Sequence, residues 1–161
     1  MASVHALLLA WYVVPVALAM GWDAVSYRIP NWAVLLLIAG FPVAGLLAPG
    51  GVPWLWHLAA AAVVFGAGLG LFALRLAGGG DVKLLTAVAL WAGWEHLAEL
   101  AILMGVLGGV VVVLLLLGRA VLARTAMTPP RLLRAGEPVP YGLAIGLAAL
   151  ILAPELGVLG R

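Results

Sequence analysis

Two aspartates, Asp23 and Asp81, are the residues of this sequence whose chemistry would matter most if the fold brought them together. They are the only aspartates in the chain. Two carboxyl groups held close together cannot both ionise easily, so they share a proton and titrate as a coupled pair. The ionised member can draw a proton from a water molecule that attacks a carbonyl carbon, while the protonated member polarises that carbonyl and later protonates the leaving amine. This chemistry requires elements that place both side chains at one point.

The composition indicates which elements those are. Of 161 residues, 66% are hydrophobic and 9% are charged, and the mean hydropathy is +1.25. These values predict an integral membrane protein, with residues 1–161 as a single membrane domain. The absence of cysteine excludes disulfides, zinc–thiolate sites, iron–sulfur ligation and cysteine catalysis. Nothing in the sequence supports nucleic-acid binding.

Apolar runs near the ~20 residues that cross a ~30 Å hydrocarbon core predict an all-α bundle of about six transmembrane helices. The runs cover residues 4–21, 31–48, 54–76, 78–94, 97–118 and 140–159. A longer polar linker from Arg119 to Pro140 precedes the last run. A cleaved signal peptide is disfavoured, because no basic residue precedes the first run. No internal repeat is visible, which counts against an inverted-repeat transporter.

The basic residues predict the orientation of the bundle. Seven of the eight lie after spans one, three and five, and Arg161 alone falls on the other side. The positive-inside rule then makes the basic loops cytoplasmic and both termini non-cytoplasmic. Asp23 ends span one and Asp81 starts span four, so both lie toward the cytoplasmic face. Counting back from the far interface puts Asp81 on the order of 5 to 10 Å inside the boundary.

Each aspartate also has an ordinary structural interpretation. Asp81 could be the N-cap of span four, preceded by a glycine turn. Asp23 could be an acid beside a cytoplasmic turn, as is common. Lys83 is two residues from Asp81 and would project elsewhere on a helix, which favours an interfacial anchor. Three histidines near the outer interface lack metal-ligand spacing. Glycines spaced four apart predict close helix contacts in three spans, at Gly66/Gly70, Gly105/Gly109 and Gly142/Gly146.

Three motifs in order resemble one family. "GGGDVKLL" at 78–85 matches the GxGD signature of membrane aspartic proteases, and its continuation resembles the type IV prepilin peptidases. "WDAVSYRIPN" at 22–31 resembles the first aspartate motif of that family. "VPYGLAIGL" at 139–147 resembles the Pro-aromatic-Gly motif that opens the last span. The resemblance covers nearly the whole chain.

The resemblance implies a membrane-embedded aspartic endopeptidase in which Asp23 and Asp81 are catalytic. The implied hydrolysis needs no metal and no organic cofactor. The implied supporting residues are Gly78, Gly79, Gly80, Lys83, Pro30, Asn31, Pro140, Tyr141 and Gly142. The three glycines before Asp81 would let the backbone adopt otherwise costly dihedral angles and let a substrate strand approach closely. The two carboxyl groups could stay apart until substrate binds.

The implied substrate is a prepilin, with a short basic leader followed by an apolar helix. Cleavage would occur near the cytoplasmic face of a bacterial inner membrane, with the lipid bilayer and pilus-assembly machinery as partners; the oligomeric state stays open. The N-terminal insertion with paired cysteines that accompanies N-methylation is absent, so the chain resembles the short peptidase-only subfamily of tight-adherence (Flp-type) pili. A small proton-coupled transporter and a non-enzymatic pilus or secretion assembly subunit are the alternatives.

Overall fold

The computed structural model describes residues 2–48, 50–125 and 128–159, and these residues form six α-helices with no strand. The helices are α1 (Ala2–Ser26), α2 (Asn31–Leu47), α3 (Trp54–Ala73), α4 (Gly79–Ala92), α5 (Leu97–Leu122) and α6 (Tyr141–Leu152). Short 3₁₀ helices cover Arg131–Leu133, Ala153–Glu155 and Gly157–Leu159. The predicted all-α bundle is confirmed. Arg161, which entered the orientation argument, lies outside the described residues.

The helices differ in whether they can cross a membrane. Within the described residues, three are long and apolar enough: Val4–Ser26, Trp54–Ala73 and Leu97–Leu122. The apolar helices Asn31–Leu47 and Tyr141–Glu155 are shorter. The 14 residues of α4 extend about 21 Å, less than the ~30 Å hydrocarbon core. The prediction of a full span over 78–94 is therefore wrong in length, because Gly93 ends the helix with a φ of 67°.

The short helix α4 lies at the centre of the bundle. It packs against α2, α3, α5 and α6, and eight of its residues are buried. Trp91 of α4 is fully buried beside Tyr12 of α1, and its indole N–H donates to the Leu37 carbonyl of α2 at 2.9 Å. The Tyr12 hydroxyl in turn donates to the Ala149 carbonyl of α6 at 3.3 Å. The two bonds join α4 to α2 and α1 to α6, and the ring contact between Tyr12 and Trp91 joins α1 to α4.

Glycine contacts between helices follow the predicted spacing on α6 alone. A Cβ built on Gly146 would lie 2.8 Å from the Met20 Cβ of α1, so α6 and α1 approach closely there. On α3 the close contact falls instead at Gly68, where a Cβ would lie 2.6 Å from Val82 of α4. The prediction was wrong for the other two pairs. A Cβ built on Gly66, Gly70, Gly105 or Gly109 would have no described atom of another helix within 4 Å.

Candidate active site

Asp23 lies in the last turn of α1, two residues beyond the predicted end of the first span. Its side chain is only 5% exposed. The helix stops after Ser26 because Tyr27 adopts a left-handed conformation, with a φ of 55°. The Tyr27 N–H still donates to the Asp23 carbonyl at 2.8 Å. Pro30 then caps the start of α2, so "RIPN" forms the predicted turn directly beside Asp23.

Asp81 lies in the first turn of α4, where it is not the N-cap. The cap is Gly78, whose backbone is extended with φ −76° and ψ 144°. Asp81 is the third helical residue, and its Oδ2 accepts a hydrogen bond from the Gly78 N–H at 3.3 Å. The N-cap interpretation is therefore wrong in position, although the carboxylate does bind a free N–H at the helix start.

The glycines before Asp81 are needed for space and not for unusual dihedral angles. None of the three has a positive φ, and Gly79 and Gly80 are helical, so the expectation of costly dihedrals is wrong. A Cβ on Gly78 would lie 2.8 Å from the Asp81 Oδ2, and a Cβ on Gly80 would lie 3.2 Å from the Ile29 Cβ. At Gly79 the nearest contact would be an ordinary 3.4 Å. The crowded positions are the two glycines of the G-x-G-D signature, and the open one is its x.

The N-terminus of α6 contacts Asp23 directly. Pro140 caps this helix, and the Gly142 N–H donates to the Asp23 Oδ2 at 2.9 Å. A Cβ on Gly142 would lie 2.7 Å from the same oxygen, so only glycine fits. The positive end of a helix stabilises a negative charge. Each aspartate thus accepts a backbone N–H at the start of a helix, Asp81 from its own and Asp23 from α6.

Both aspartates line the same two cavities. One cavity, of about 310 Å³, also contains Lys83 and is called the Lys83 cavity; the other, of about 420 Å³, contains Tyr141 and is called the Tyr141 cavity. The Lys83 cavity is lined by Asp23, Tyr27, Arg28, Ile29, Asn31, Gly78, Gly79, Gly80, Asp81 and Lys83. The Tyr141 cavity is lined by Asp23, Tyr27, Arg75, Leu76, Ala77, Gly78, Asp81, Pro138, Val139, Pro140 and Tyr141.

The two carboxyl groups are neighbours without being bonded. Both line the same two cavities, yet among the described residues no hydrogen bond joins Asp23 to Asp81. Each instead holds its backbone N–H from Gly142 or Gly78. The cavities that both aspartates line, of about 310 Å³ and 420 Å³, have room for a water molecule or a peptide group.

Lys83 lies at the site, contrary to the expectation that it projects elsewhere. Its Nζ donates to the Asn31 Oδ1 at 3.2 Å, and both residues line the Lys83 cavity. The start of α2 therefore meets the first turn of α4, which brings the lysine back toward Asp81. Pro30 lines neither of the two cavities and acts through the turn that it shapes.

Sequence reasoning did not single out Tyr27 as a residue of the site. Its ring lies beneath the Arg131 guanidinium of the linker, 5.0 Å from the centroid. Its hydroxyl oxygen is buried, with no hydrogen-bond partner among the described residues. Arg75, which also lines the Tyr141 cavity, is the second non-glycine residue with a positive φ, at 60°. Tyrosine and arginine seldom take this conformation, so no residue-type signal could have indicated it.

The histidines lie away from the aspartates, at the other end of α4. His57 is buried, and its Nδ1 lies 2.8 Å from the Leu90 carbonyl oxygen. Together with His96 and Glu95 it lines a separate cavity of about 470 Å³. Within the part of the chain that the structure describes, no three histidine and carboxylate side chains are grouped so that they could hold a metal ion.

The fold and the site define a class: a helical membrane protein with two carboxyl groups on shared cavities at one end of its central helix. The chain belongs to the type IV leader peptidase family, which it matches over residues 6–117. The family indicates a protease that acts on the leader of type IV prepilins. The matched region contains Asp23 and Asp81 and ends before Gly142. No curated protein and no solved structure matched the chain.

Proposed function

We propose that this chain is an aspartic endopeptidase that removes the leader of Flp-type prepilins by means of Asp23 and Asp81. The observation that carries the proposal is that both side chains line the same two cavities. No other carboxylate lines either cavity among the described residues. Two acids that share a cavity provide the acid and the base that peptide hydrolysis requires.

In the proposed mechanism the two carboxyl groups share one proton. The ionised group takes a proton from a water molecule as that water attacks the scissile carbonyl carbon. The protonated group donates a hydrogen bond to the carbonyl oxygen, and a proton passes to the leaving amine as the C–N bond breaks. The Gly142 and Gly78 N–H groups hold one oxygen of each carboxyl group. The second oxygen of each is then oriented toward the water or the peptide.

The cavities contain cations as well as the two aspartates, and this affects where a basic leader would bind. Arg28 and Lys83 line one cavity and Arg75 lines the other, so the two aspartates are balanced by cations and a basic leader gains little attraction inside. Anionic headgroups of the inner leaflet attract basic segments by about 1 kcal/mol per Lys or Arg. The leader is therefore expected to lie along the cytoplasmic surface and to approach Asp23 and Asp81 only next to the scissile bond.

The remaining parts of the proposal concern setting and scope. We place the site at the cytoplasmic face of a bacterial inner membrane, with both termini on the other side, because the basic loops adjoin the aspartates. Residues 1–161 would act as one peptidase domain. The absence of cysteine supports a peptidase-only chain, so N-methylation is not part of the proposed activity.

Conversion of each aspartate to asparagine tests the proposal. Asp23→Asn and Asp81→Asn should each lower cleavage of a co-expressed prepilin by roughly 10²- to 10⁴-fold while membrane insertion is retained, because each removes one of the two acid–base groups. Glu95→Gln is the matched control, since Glu95 lies at the other end of α4 in the cavity around His57. Full processing by either aspartate variant would refute the mechanism.

The same variants separate the proposal from its alternatives. A proton-coupled transporter would show proton-dependent uptake in vesicles that Asp23→Asn or Asp81→Asn abolishes, with no cleavage by the unsubstituted chain. An assembly subunit would support processing without either aspartate and would depend on the linker between α5 and α6 instead.

A further inference from the structure

An apolar cleft opens beside Asp81, between helices that do not pack closely against one another. It has a volume of about 210 Å³. Leu71 of α3, Val82 and Leu85 of α4, Met104 of α5 and Ile145 of α6 contribute to its walls. α3 packs mainly against α4, and α5 packs mainly against α6. The cleft lies between the α3–α4 pair and the α5–α6 pair, with α4 at its base.

The cleft is continuous with the Tyr141 cavity. Four residues line both of them: Leu76, Ala77, Asp81 and Tyr141. The Tyr141 cavity also contains Arg75 and Asp23, whereas Asp81 is the only charged residue on the cleft within the described part of the chain. The surface therefore changes from polar to apolar at Asp81.

We propose that this cleft binds the apolar segment of the substrate that follows the scissile bond. The inference rests on the proposed function and names where one part of that substrate binds. A prepilin changes from polar to apolar at its cleavage point, and the surface changes in the same order at Asp81. With the leader on the Tyr141 cavity side and the apolar segment in the cleft, the scissile bond lies beside the carboxyl group.

The size of the cleft limits what enters it. An apolar cavity of about 150 Å³ is known to accommodate one benzene ring, so about 210 Å³ holds one large apolar side chain and little more. The first large side chain after the scissile bond would fill it. The rest of the apolar segment would continue along the lipid-exposed surface of α3, which includes Leu71 at 46% exposed and Phe72 at 52%.

A second apolar groove is the main competitor. It runs along α1 and is lined by Leu18, Gly21, Trp22 and Val25 among others, with a volume of about 430 Å³. Neither aspartate lines it, and it shares no lining residue with the two aspartate cavities. A segment bound there would have no continuous path to the carboxyl groups, so the cleft beside Asp81 is the better site.

Photocrosslinking from two matched leucines tests the proposal. Leu69 and Leu71 both lie on α3 and both are 46% exposed, but of the two only Leu71 lines the cleft. Photoleucine, a diazirine amino acid close to leucine in size, is placed at either position, or at Leu18 in the α1 groove, in the full chain carrying Asp23→Asn. That background is chosen because Asp23 does not line the cleft. The probe is a synthetic peptide with a basic leader, a glycine and about twenty apolar residues, in lipid vesicles.

We expect a crosslink to the apolar part of the peptide from position 71 and at least about tenfold less from positions 69 and 18. Equal yields from 69 and 71, a stronger crosslink from 18, or crosslinks from 71 only to lipid or to a second copy of the chain would each overturn the proposal. Failure of the proposed function has a different signature: the chain with Asp23 intact would leave the peptide uncut even though position 71 crosslinks to it.

Kinetics give a second readout in the active chain. Leu71→Trp fills the cleft and should raise the KM for the same peptide about tenfold, since burial of one large apolar side chain is typically worth at least that factor. Leu69→Trp adds the same bulk toward lipid and should leave the KM within about twofold. A KM that responds equally to the two substitutions would show that the cleft does not bind the segment.

Discussion

Gly142→Ala should disable cleavage without removing any functional side chain. The added Cβ would lie 2.7 Å from the Asp23 Oδ2 and 2.9 Å from its Cβ and Cγ. To restore an ordinary contact of 3.4 Å, the carboxyl group must retreat by roughly 0.7 Å. Asp23 lines two cavities, so the carboxyl group would retreat into them. The retreat also stretches the 2.9 Å hydrogen bond from the Gly142 N–H.

The expected loss follows from that displacement. A misplacement of about 1 Å in a catalytic group can cost about 10²-fold in rate, which corresponds to about 2.7 kcal/mol in the barrier. We therefore expect kcat for cleavage of a purified prepilin to fall by roughly one to two orders of magnitude. The KM should change little, because Gly142 supplies none of the cavity walls. The assay is quantitative gel separation of precursor and product with the enzyme in lipid vesicles.

Gly146→Ala is the matched control for this prediction. Gly146 lies one turn further along α6 and also faces α1, where its Cβ would lie 2.8 Å from Met20 Cβ and 3.0 Å from Met20 Sδ. The overlap is similar, but it falls on Met20 and not on a carboxyl group. Both variants should lose some thermal stability, and Gly142→Ala alone should lose turnover per folded molecule. Normal kcat in Gly142→Ala, or an equal loss in Gly146→Ala, would refute the reasoning.

Three further predictions concern the surroundings of the aspartates. Gly78→Ala should lower kcat/KM about tenfold, because the added Cβ would lie 2.8 Å from the Asp81 Oδ2. Gly79→Ala should stay within about twofold, because its Cβ would make only a 3.4 Å contact. The reverse order of the two effects would contradict the spatial argument. Tyr27→Phe removes a buried hydroxyl with no partner among the described residues and should raise the unfolding free energy by about 1 kcal/mol, measured by thermal unfolding in detergent, whereas a lower melting temperature would mean that the hydroxyl is satisfied. Asn31→Ala and Lys83→Met, combined in a double-mutant cycle on kcat/KM, should show a coupling energy below about 1 kcal/mol. The reason is that the 3.2 Å hydrogen bond between the two side chains is exposed.

Composition and apolar periodicity were enough to predict the helices, but not where each one ends. The first span continues to Ser26 because the terminating residue is Tyr27 in a left-handed conformation, which no propensity would suggest. α4 ends at Gly93, one of 21 glycines of which few terminate helices. The end of a helix depends on a local conformation that tertiary contacts impose, and such contacts are not visible in a hydropathy pattern.

The position of the candidate site followed from counting spans, and its detail did not. The predicted topology puts Asp23 and Asp81 toward one face, because two predicted crossings return the chain to the same side. The rotation of each helix about its axis decides which glycine meets which carboxyl group, and the sequence does not encode that rotation locally. For the same reason Lys83 was expected to point away, although the approach of Asn31 from α2 draws it to the Lys83 cavity.

Each carboxyl group contacts one glycine, and the two glycines make the same kind of contact although they are far apart in the chain. Gly78 and Gly142 each donate a backbone N–H to an aspartate oxygen, and each leaves no space for a side chain beside that oxygen. The family match ends at residue 117, so the N–H that Asp23 accepts comes from outside the matched region. A chain that kept both aspartates but lacked α6 would leave Asp23 without that donor and Tyr12 without its acceptor at Ala149. Gly142 of the Pro-Tyr-Gly motif is therefore better understood as a structural partner of Asp23, whereas Tyr141 lines the cavity and the cleft proposed for the substrate.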